Sequence, residues 1–430
     1  MSFVNPSQFF SRHLRPELLH RLVHVCLFFA CVFLLVGFLH WRQTGGMTPQ
    51  SRTNLVAAEK PTLMRAVAEY PTFRPPVYPA SLWVFSAVGL PIRLFNLLCF
   101  YGVLGTVWVF VRSYYPRLAP SVPVLFVALV HANYPNLHQQ TAEALFLLVA
   151  VMSLLLLGWS KDHPSSLLAG GLGTLTAAAA LTRFFALFWI VPIALVHLTA
   201  LSAARSWRKR TVHVLAYITP IGLFVLPWLL YLHRRTGSFS GMDRSAPRWF
   251  PPEIAYWSSP TGLGTNVKFV LKTTFIDFFS PNRTADHRAV SAYGITTSET
   301  IVLFAVLGLA ALAIVWLFQV FRKLPRSSRI ALATNLLTAP QSLPVHFAGI
   351  YVVAIIAAWT ASNNDPIYTR FMFPSYTFLV LTACGVYAWL QDRVTTVWGL
   401  LPFYLLGSLF VGTNLLNIKS GLTISWSIFQ

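Results

Sequence analysis

The sequence predicts an all-α polytopic membrane protein, and two observations carry this prediction. Of the 430 residues, 56% are hydrophobic and only 10% are charged, whereas about 25% of residues are charged in an ordinary soluble domain. Continuous apolar stretches recur along the whole chain, and they lack the period of two that a membrane β-barrel requires. We therefore treat residues 1–430 as one integral-membrane domain.

About eleven apolar stretches are candidate membrane-spanning helices, although several are shorter than the roughly 20 residues that a full span needs. The first stretch lacks a small-residue cleavage site, so it is predicted to be an anchor helix and not a signal peptide. The stretches are residues 22–41, 93–113, 121–136, 141–159, 166–182, 184–203, 211–232, 300–321, 345–361, 373–390 and 396–416.

Clusters of Lys and Arg predict the orientation, because such clusters are enriched in short cytoplasmic loops. They occur at residues 12–21, 205–210 and 322–329. All three fall on the cytoplasmic side if the N-terminus is cytoplasmic and every stretch spans once. The predicted location is a multi-pass position in a bacterial inner membrane or a eukaryotic endoplasmic reticulum, with an extracytoplasmic working face.

With this orientation, residues 42–92 and 233–299 are two large extracytoplasmic loops. Within the first loop, residues 77–89 are apolar but too short to cross a membrane. Pro75 and Pro76 precede them, and proline is tolerated at the start of a helix because the first N–H groups have no intrahelical partner. We therefore expect an interfacial helix here.

Charge and cysteine usage exclude several classes of function. The formal net charge is +20. Basic residues that flank membrane helices and bind anionic lipid headgroups explain this charge. The sequence contains no basic soluble module that would bind nucleic acid. The four cysteines lie in apolar stretches without metal-ligand spacing. The sequence contains no Gly-rich phosphate loop, so ATP hydrolysis is not expected. No cofactor or metal site is predicted, while a requirement for a free divalent metal stays open.

A few charged residues border the apolar stretches, where charge is costly unless it is paired or used. Glu143 either binds a substrate hydroxyl or occupies the first turn of a helix, where the helix dipole favours a carboxylate. Arg183 either binds a phosphate or pairs with Glu143. Arg370, with Asp365 and Tyr368 close by, either holds an anionic headgroup or snorkels to the interface.

Four more candidates lie in the first large loop. Arg74 and Tyr78 flank the Pro-Pro element and either bind substrate or anchor the chain at the interface. Glu59 and Glu69 lie on a short amphipathic piece and belong either to a solvated face or to a catalytic site as the general base.

Four stretches, taken in order, resemble the membrane-embedded GT-C glycosyltransferases, with the protein-mannosyltransferase and aminoarabinose-transferase-like family as the nearest group. The resemblance rests on the order and the facing of these stretches. They are YPTFRPPVYPASLWVFSAVGLPIRLFNLL, YPNLHQQTAEALFLLVAVMSLLLL, LLAGGLGTLTAAAALTRFFALFWIVP and YTRFMFPSYTFLVLTACGVYAWL.

The resemblance implies a GT-C-like helical bundle and a polyprenyl- or dolichyl-phosphate-linked sugar as the donor. It also implies transfer on the extracytoplasmic face with inversion at the anomeric carbon, and it leaves the acceptor open. By position, Arg74 and Tyr78 match the family's Pro-Pro element. Glu143 matches its acidic helix start, Arg183 its Thr-Arg element and Arg370 its late arginine.

Two departures from the family pattern keep other functions open. The family usually has an Asp early in the first outer loop, but residues 42–92 contain none. Glu59 or Glu69 then takes the place of this base, with Glu59 closer to the expected spacing. Phe371 replaces a usual tyrosine. The alternative is a non-catalytic GT-C-like subunit that binds lipid or stabilises a membrane complex. A lipid or sugar transporter ranks third, because the sequence lacks inverted halves.

Overall fold

The structure is a computed structural model, and the residues that it describes are mostly helical and include no strand. These are residues 23–28, 56–68, 75–130, 142–201, 207–237, 339–362, 369–391 and 404–414 without 413, and isolated positions between 308 and 325. The helices are α1 (Leu63–Ala68), α2 (Val77–Ala87), α3 (Phe95–Tyr114), α4 (Ser121–Leu129), α5 (Glu143–Asp162), α6 (Ser166–Ala180), α7 (Ala186–Leu201), α8 (Trp207–Thr236), α9 (Leu343–Ser362) and α10 (Thr369–Gln391), with 3-10 turns at Ile92–Leu94 and Pro340–Ser342.

Four of the described helices are long and apolar enough to cross a membrane, by length and composition alone. They are α3, α5, α8 and the segment Pro340–Ala357 that includes most of α9. The helices α6 and α7 are apolar but shorter. Most of the predicted stretches 22–41, 300–321 and 396–416 lies outside the described residues, so the count of eleven and the membrane topology stay predictions.

The α6–α7 turn, which contains Arg183, lies at one end of the helical bundle. We call this end of the bundle the Arg183 end. The helix α7 starts there and runs antiparallel to α9, because Phe185 contacts Tyr351 while His197 contacts His346. The helix α9 therefore ends at the Arg183 end. Which side of a membrane this end faces stays a prediction.

Small residues of α6 let α8 approach it closely, and the two helices run parallel. A Cβ atom on Gly173 would overlap the carbonyl oxygen of Tyr217, and a Cβ atom on Gly170 would lie 3.6 Å from the carbonyl oxygen of Ala216. The Tyr217 hydroxyl donates a hydrogen bond of 3.3 Å to Thr176 Oγ1. Such contact between backbones is the packing that small residues provide in membrane helices. Because α6 ends at the Arg183 end, α8 ends there too.

A cluster of aromatic rings joins four helices in the interior. Trp189 of α7 is fully buried, and its indole N–H donates a hydrogen bond of 2.7 Å to the carbonyl oxygen of Phe347 on α9. The ring centroids of Phe146, Tyr351 and Phe378 lie 5.6, 4.6 and 5.4 Å from that of Trp189. Rings at these distances attract beyond their buried area, so the cluster holds α5, α7, α9 and α10 together.

Candidate functional site

An ion pair between Glu143 and Arg183 lies at the Arg183 end of the bundle. Glu143 is the first residue of α5 and is 2% exposed, while the Arg183 side chain is 26% exposed. Arg183 Nη2 donates a hydrogen bond to Glu143 Oε1. The carboxylate therefore meets both the N-terminal dipole of α5 and the guanidinium. Both structural alternatives predicted for these residues, the helix start and the pairing, are present.

The backbone of the α6–α7 turn fixes the position of Arg183. The Arg183 N–H donates to the carbonyl oxygen of Ala179 at 2.7 Å, and the Ala186 N–H donates to the carbonyl oxygen of Arg183 at 3.0 Å. The Thr182 hydroxyl donates to the carbonyl oxygen of Ala178 at 2.7 Å. These hydrogen bonds join the end of α6 to the start of α7, so the backbone of Arg183 is held in place by the turn.

The Pro-Pro element places the start of α2 against this turn. Pro76 caps α2, which confirms that a helix begins directly after the two prolines. The Val77 N–H donates to the carbonyl oxygen of Leu181 at 2.9 Å. Tyr78 is 2% exposed, and its hydroxyl donates to Oδ1 of the fully buried Asn96 at 3.1 Å. Tyr78 thus holds α2 on the start of α3, and substrate binding by it stays a prediction.

Residues 56–60 pack on the other part of α2 and position Glu59. The Trp83 indole N–H donates to the carbonyl oxygen of Lys60 at 3.0 Å, and Ala58 is buried together with Tyr78 and Leu82. Glu59 itself is exposed. Its carboxylate is therefore accessible from solvent, on a segment that is anchored to α2.

The cluster formed by Ala58, Tyr78 and Leu82 also contacts the start of α5. Ala142 and Leu145, on either side of Glu143, pack against Ala58, Tyr78 and Leu82. Four predicted site residues consequently belong to one connected region of the fold. They are Glu59, Tyr78, Glu143 and Arg183.

Of the other predicted residues, only Arg370 has a described backbone. Glu69, Arg74, Asp365 and Tyr368 lie outside the described residues, as does the side chain of Arg370. The backbone of Arg370 belongs to the first turn of α10. Six residues separate the end of α9 from the start of α10, so this turn lies at the Arg183 end.

Two buried aromatic residues of the interior, Tyr351 and Trp189, were missed by reasoning from the sequence. Tyr351 is buried, and its ring centroid lies 5.1 Å from that of Phe185, which is two residues after Arg183. The ring centroid of Trp189 lies 4.6 Å from that of Tyr351. No local pattern marks these two, because aromatic residues make up 15% of the chain.

An open apolar groove of about 380 Å³ runs along α2, away from the α6–α7 turn. One end of the groove is formed by Val77, whose N–H bonds the turn that contains Arg183. The groove is lined by Val77, Ala80, Ser81, Val84, Phe85, Val88 and Phe95. The groove therefore begins at a residue that is hydrogen-bonded to Leu181, two residues before Arg183.

Comparison with known proteins leaves the family undetermined. No protein-family model, curated protein or solved structure matches this chain. The GT-C resemblance therefore stays a prediction, and the possible chemistry follows from the groups present. Among the described residues, no three His, Cys, Asp or Glu side chains come together as a metal site would require.

The groups at this site are suited to hold an anion at the edge of an apolar surface. A guanidinium carries five N–H donors in a planar fork, and a carboxylate behind it fixes the direction of that fork. Arg183 is partly exposed while Glu143 is sealed from solvent. The arginine is thus the member of the pair that an incoming anion can reach.

Proposed function

We propose that this chain is a glycosyltransferase that moves a sugar from a polyprenyl- or dolichyl-phosphate donor to an acceptor on the extracytoplasmic face of a membrane. The observation that carries the proposal is the partly exposed Arg183, held by the buried Glu143. The apolar groove of α2 begins at Val77, which is hydrogen-bonded to Leu181, two residues before Arg183. A lipid phosphate combines an anion with a long apolar chain. It therefore requires a cation at the border of an apolar surface.

Each residue has a distinct role in the proposed reaction. The bond between the anomeric carbon and the phosphate oxygen breaks, and Arg183 stabilises the charge that develops on the departing lipid phosphate. The acceptor oxygen forms the new bond to the anomeric carbon, and Glu59 takes the proton of the acceptor hydroxyl. Glu143 is a positioning residue, since its carboxylate is buried against Arg183. Arg74 and Arg370 supply further contacts to the phosphate.

A non-catalytic subunit is the second candidate, and the composition of the first large loop favours it. Residues 42–92 contain no Asp, so the usual carboxylate of the GT-C pattern is missing. Such a subunit would use the same arginine and groove to bind a lipid phosphate without transferring the sugar. The two candidates differ in turnover and agree in donor binding.

The test is a transfer assay on the full-length protein in lipid nanodiscs. A panel of radiolabelled polyprenyl-phosphate sugars is supplied with a membrane extract as the source of acceptor. We expect transfer by the native protein and its loss in Arg183→Gln and in Glu59→Gln. Matched controls are Arg65→Gln, which removes an exposed arginine of α1, and Asp162→Asn, which removes an exposed carboxylate at the opposite end of α5.

The outcomes separate the two candidates. Donor binding that requires Arg183 but produces no transfer identifies the non-catalytic subunit. Full transfer activity in Glu59→Gln shows that another group is the base. Failure of the native protein to bind or consume any donor of the panel contradicts both candidates.

A further inference from the structure

The helix α8 is longer than a hydrocarbon span and carries basic residues at both ends. Its 30 residues correspond to about 45 Å at 1.5 Å per residue, which matches the thickness of a bilayer including its headgroup layers. Arg208, Lys209 and Arg210 lie near its start, and Arg234 and Arg235 near its end. Both basic ends are thus spaced to reach headgroups.

Much of the surface of α8 is apolar and exposed. Leu223 is 67% exposed, Phe224 54% and Leu226 53%. Among the described helices, α6 and α7 are the main neighbours of α8. An apolar surface of this extent on a membrane helix is suited to contact acyl chains.

Near the end of α8, aromatic rings and an arginine form a ladder on one side of the helix. The rings of Trp228 and Tyr231 are stacked with centroids 5.0 Å apart. Arg235 Nη1 donates a hydrogen bond of 2.6 Å to the Tyr231 hydroxyl, and its guanidinium carbon lies 6.0 Å from the ring centre. Residues 224, 228, 231 and 235 follow the spacing of four, three and four that places side chains on one helix face.

We propose that this face is a binding site for a phospholipid whose headgroup carries a net negative charge. We call it the α8 lipid face, and it consists of Phe224, Trp228, Tyr231 and Arg235, with Arg234 at its border, three residues after Tyr231. The acyl chains lie along Phe224, which is 54% exposed, beside Trp228, which packs partly against the core. The phosphate is bound by the two arginines through charge complementarity. The Tyr231 hydroxyl holds the guanidinium of Arg235 in place, so less side-chain entropy is lost when a headgroup binds.

A purely structural explanation of the arginines makes a different prediction. Cations near the end of a helix stabilise its dipole whatever the surrounding lipid. That explanation predicts no preference between anionic and zwitterionic headgroups. The α8 lipid face predicts a strong preference, and it does so independently of whether the chain transfers sugars.

The test is a lipid titration of the full-length protein, purified in detergent, with native mass spectrometry as the readout. Phosphatidylglycerol and phosphatidylcholine of the same acyl composition are the probes. We expect Arg234→Gln with Arg235→Gln to weaken the tightest phosphatidylglycerol binding about thirtyfold, or about fivefold for each charge. The control is Arg65→Gln, which removes an exposed arginine of α1, outside α8, and should leave that binding step unchanged.

A second, milder variant keeps the test informative if the double variant fails to fold. Tyr231→Phe removes only the hydroxyl that orients Arg235, and we expect phosphatidylglycerol binding to weaken about threefold. Equal affinity of the native protein for both lipids would overturn the proposal. So would an equal loss of phosphatidylglycerol binding in the control, or unchanged binding in both variants of the α8 lipid face.

Discussion

Replacing Arg183 by methionine isolates the contribution of the ion pair to stability. Methionine keeps an unbranched stem in the α6–α7 turn but removes the guanidinium. The Glu143 carboxylate, which is 2% exposed, then loses its charged partner while it stays in the interior. Removing one partner of a buried ion pair costs about 3–5 kcal/mol. Because the Arg183 side chain is 26% exposed, screening reduces this to about 2–3 kcal/mol.

The reciprocal and double variants make the reasoning testable as a cycle. Glu143→Gln keeps the shape of the side chain and leaves Arg183 charged, but the arginine can turn towards solvent, so we expect a loss of about 1 kcal/mol. In the double variant neither charge remains to be buried alone. We therefore expect it to be more stable than Arg183→Met by about 1 kcal/mol, which is strong coupling between contacting residues.

The measurement is the free energy of unfolding of the full-length protein in detergent micelles, titrated with a denaturing detergent and followed by tryptophan fluorescence. All four members of the cycle are compared under one set of conditions. The reasoning is refuted if the two single variants add within about 0.5 kcal/mol in the double variant. It is also refuted if Arg183→Met alone has no measurable effect.

Two further predictions concern packing and use the same unfolding assay. Gly173→Val places a side chain against the Tyr217 carbonyl and forces α6 away from α8, so we expect a loss of about 1–3 kcal/mol. The control is Gly105→Ala, where a Cβ meets nothing within 4 Å. We expect this variant to be as stable as the native protein or more stable by up to about 1 kcal/mol, because alanine has the higher helix propensity. Tyr78→Phe removes the buried hydrogen bond to Asn96 and should cost about 1–2 kcal/mol. An unchanged stability would show that this bond contributes nothing to holding α2.

Hydropathy locates the described helices well because burial in lipid or protein requires long apolar runs. The predicted stretch 93–113 corresponds to α3, Phe95–Tyr114. The stretch 211–232 lies within α8, which continues at both ends through basic residues to Trp207 and Thr236. Hydropathy misses these ends because the helix remains intact where its side chains become polar, as it does in a headgroup layer.

The candidate site is predictable only as far as charge in an apolar context reveals it. Glu143 and Arg183 stand out for that reason, and their pairing was one of the predicted alternatives. Trp189 and Tyr351 do not stand out, because an aromatic residue in the interior has the same local pattern as one that faces lipid. Their positions depend on contacts such as the Trp189–Phe347 hydrogen bond, which joins residues 158 positions apart.

This long separation has a consequence for the order in which the molecule is built. The helices α3, α5, α6, α7 and α8 contact partners close in sequence, so they can associate while the chain is still being synthesised. The aromatic cluster around Trp189 waits for Phe347 and Phe378. A nascent chain that stops before α9 would therefore carry the Glu143–Arg183 pair, Phe146 and Trp189 but not Tyr351. The contacts of Trp189 with α9 and α10 therefore form only after these two helices have been synthesised.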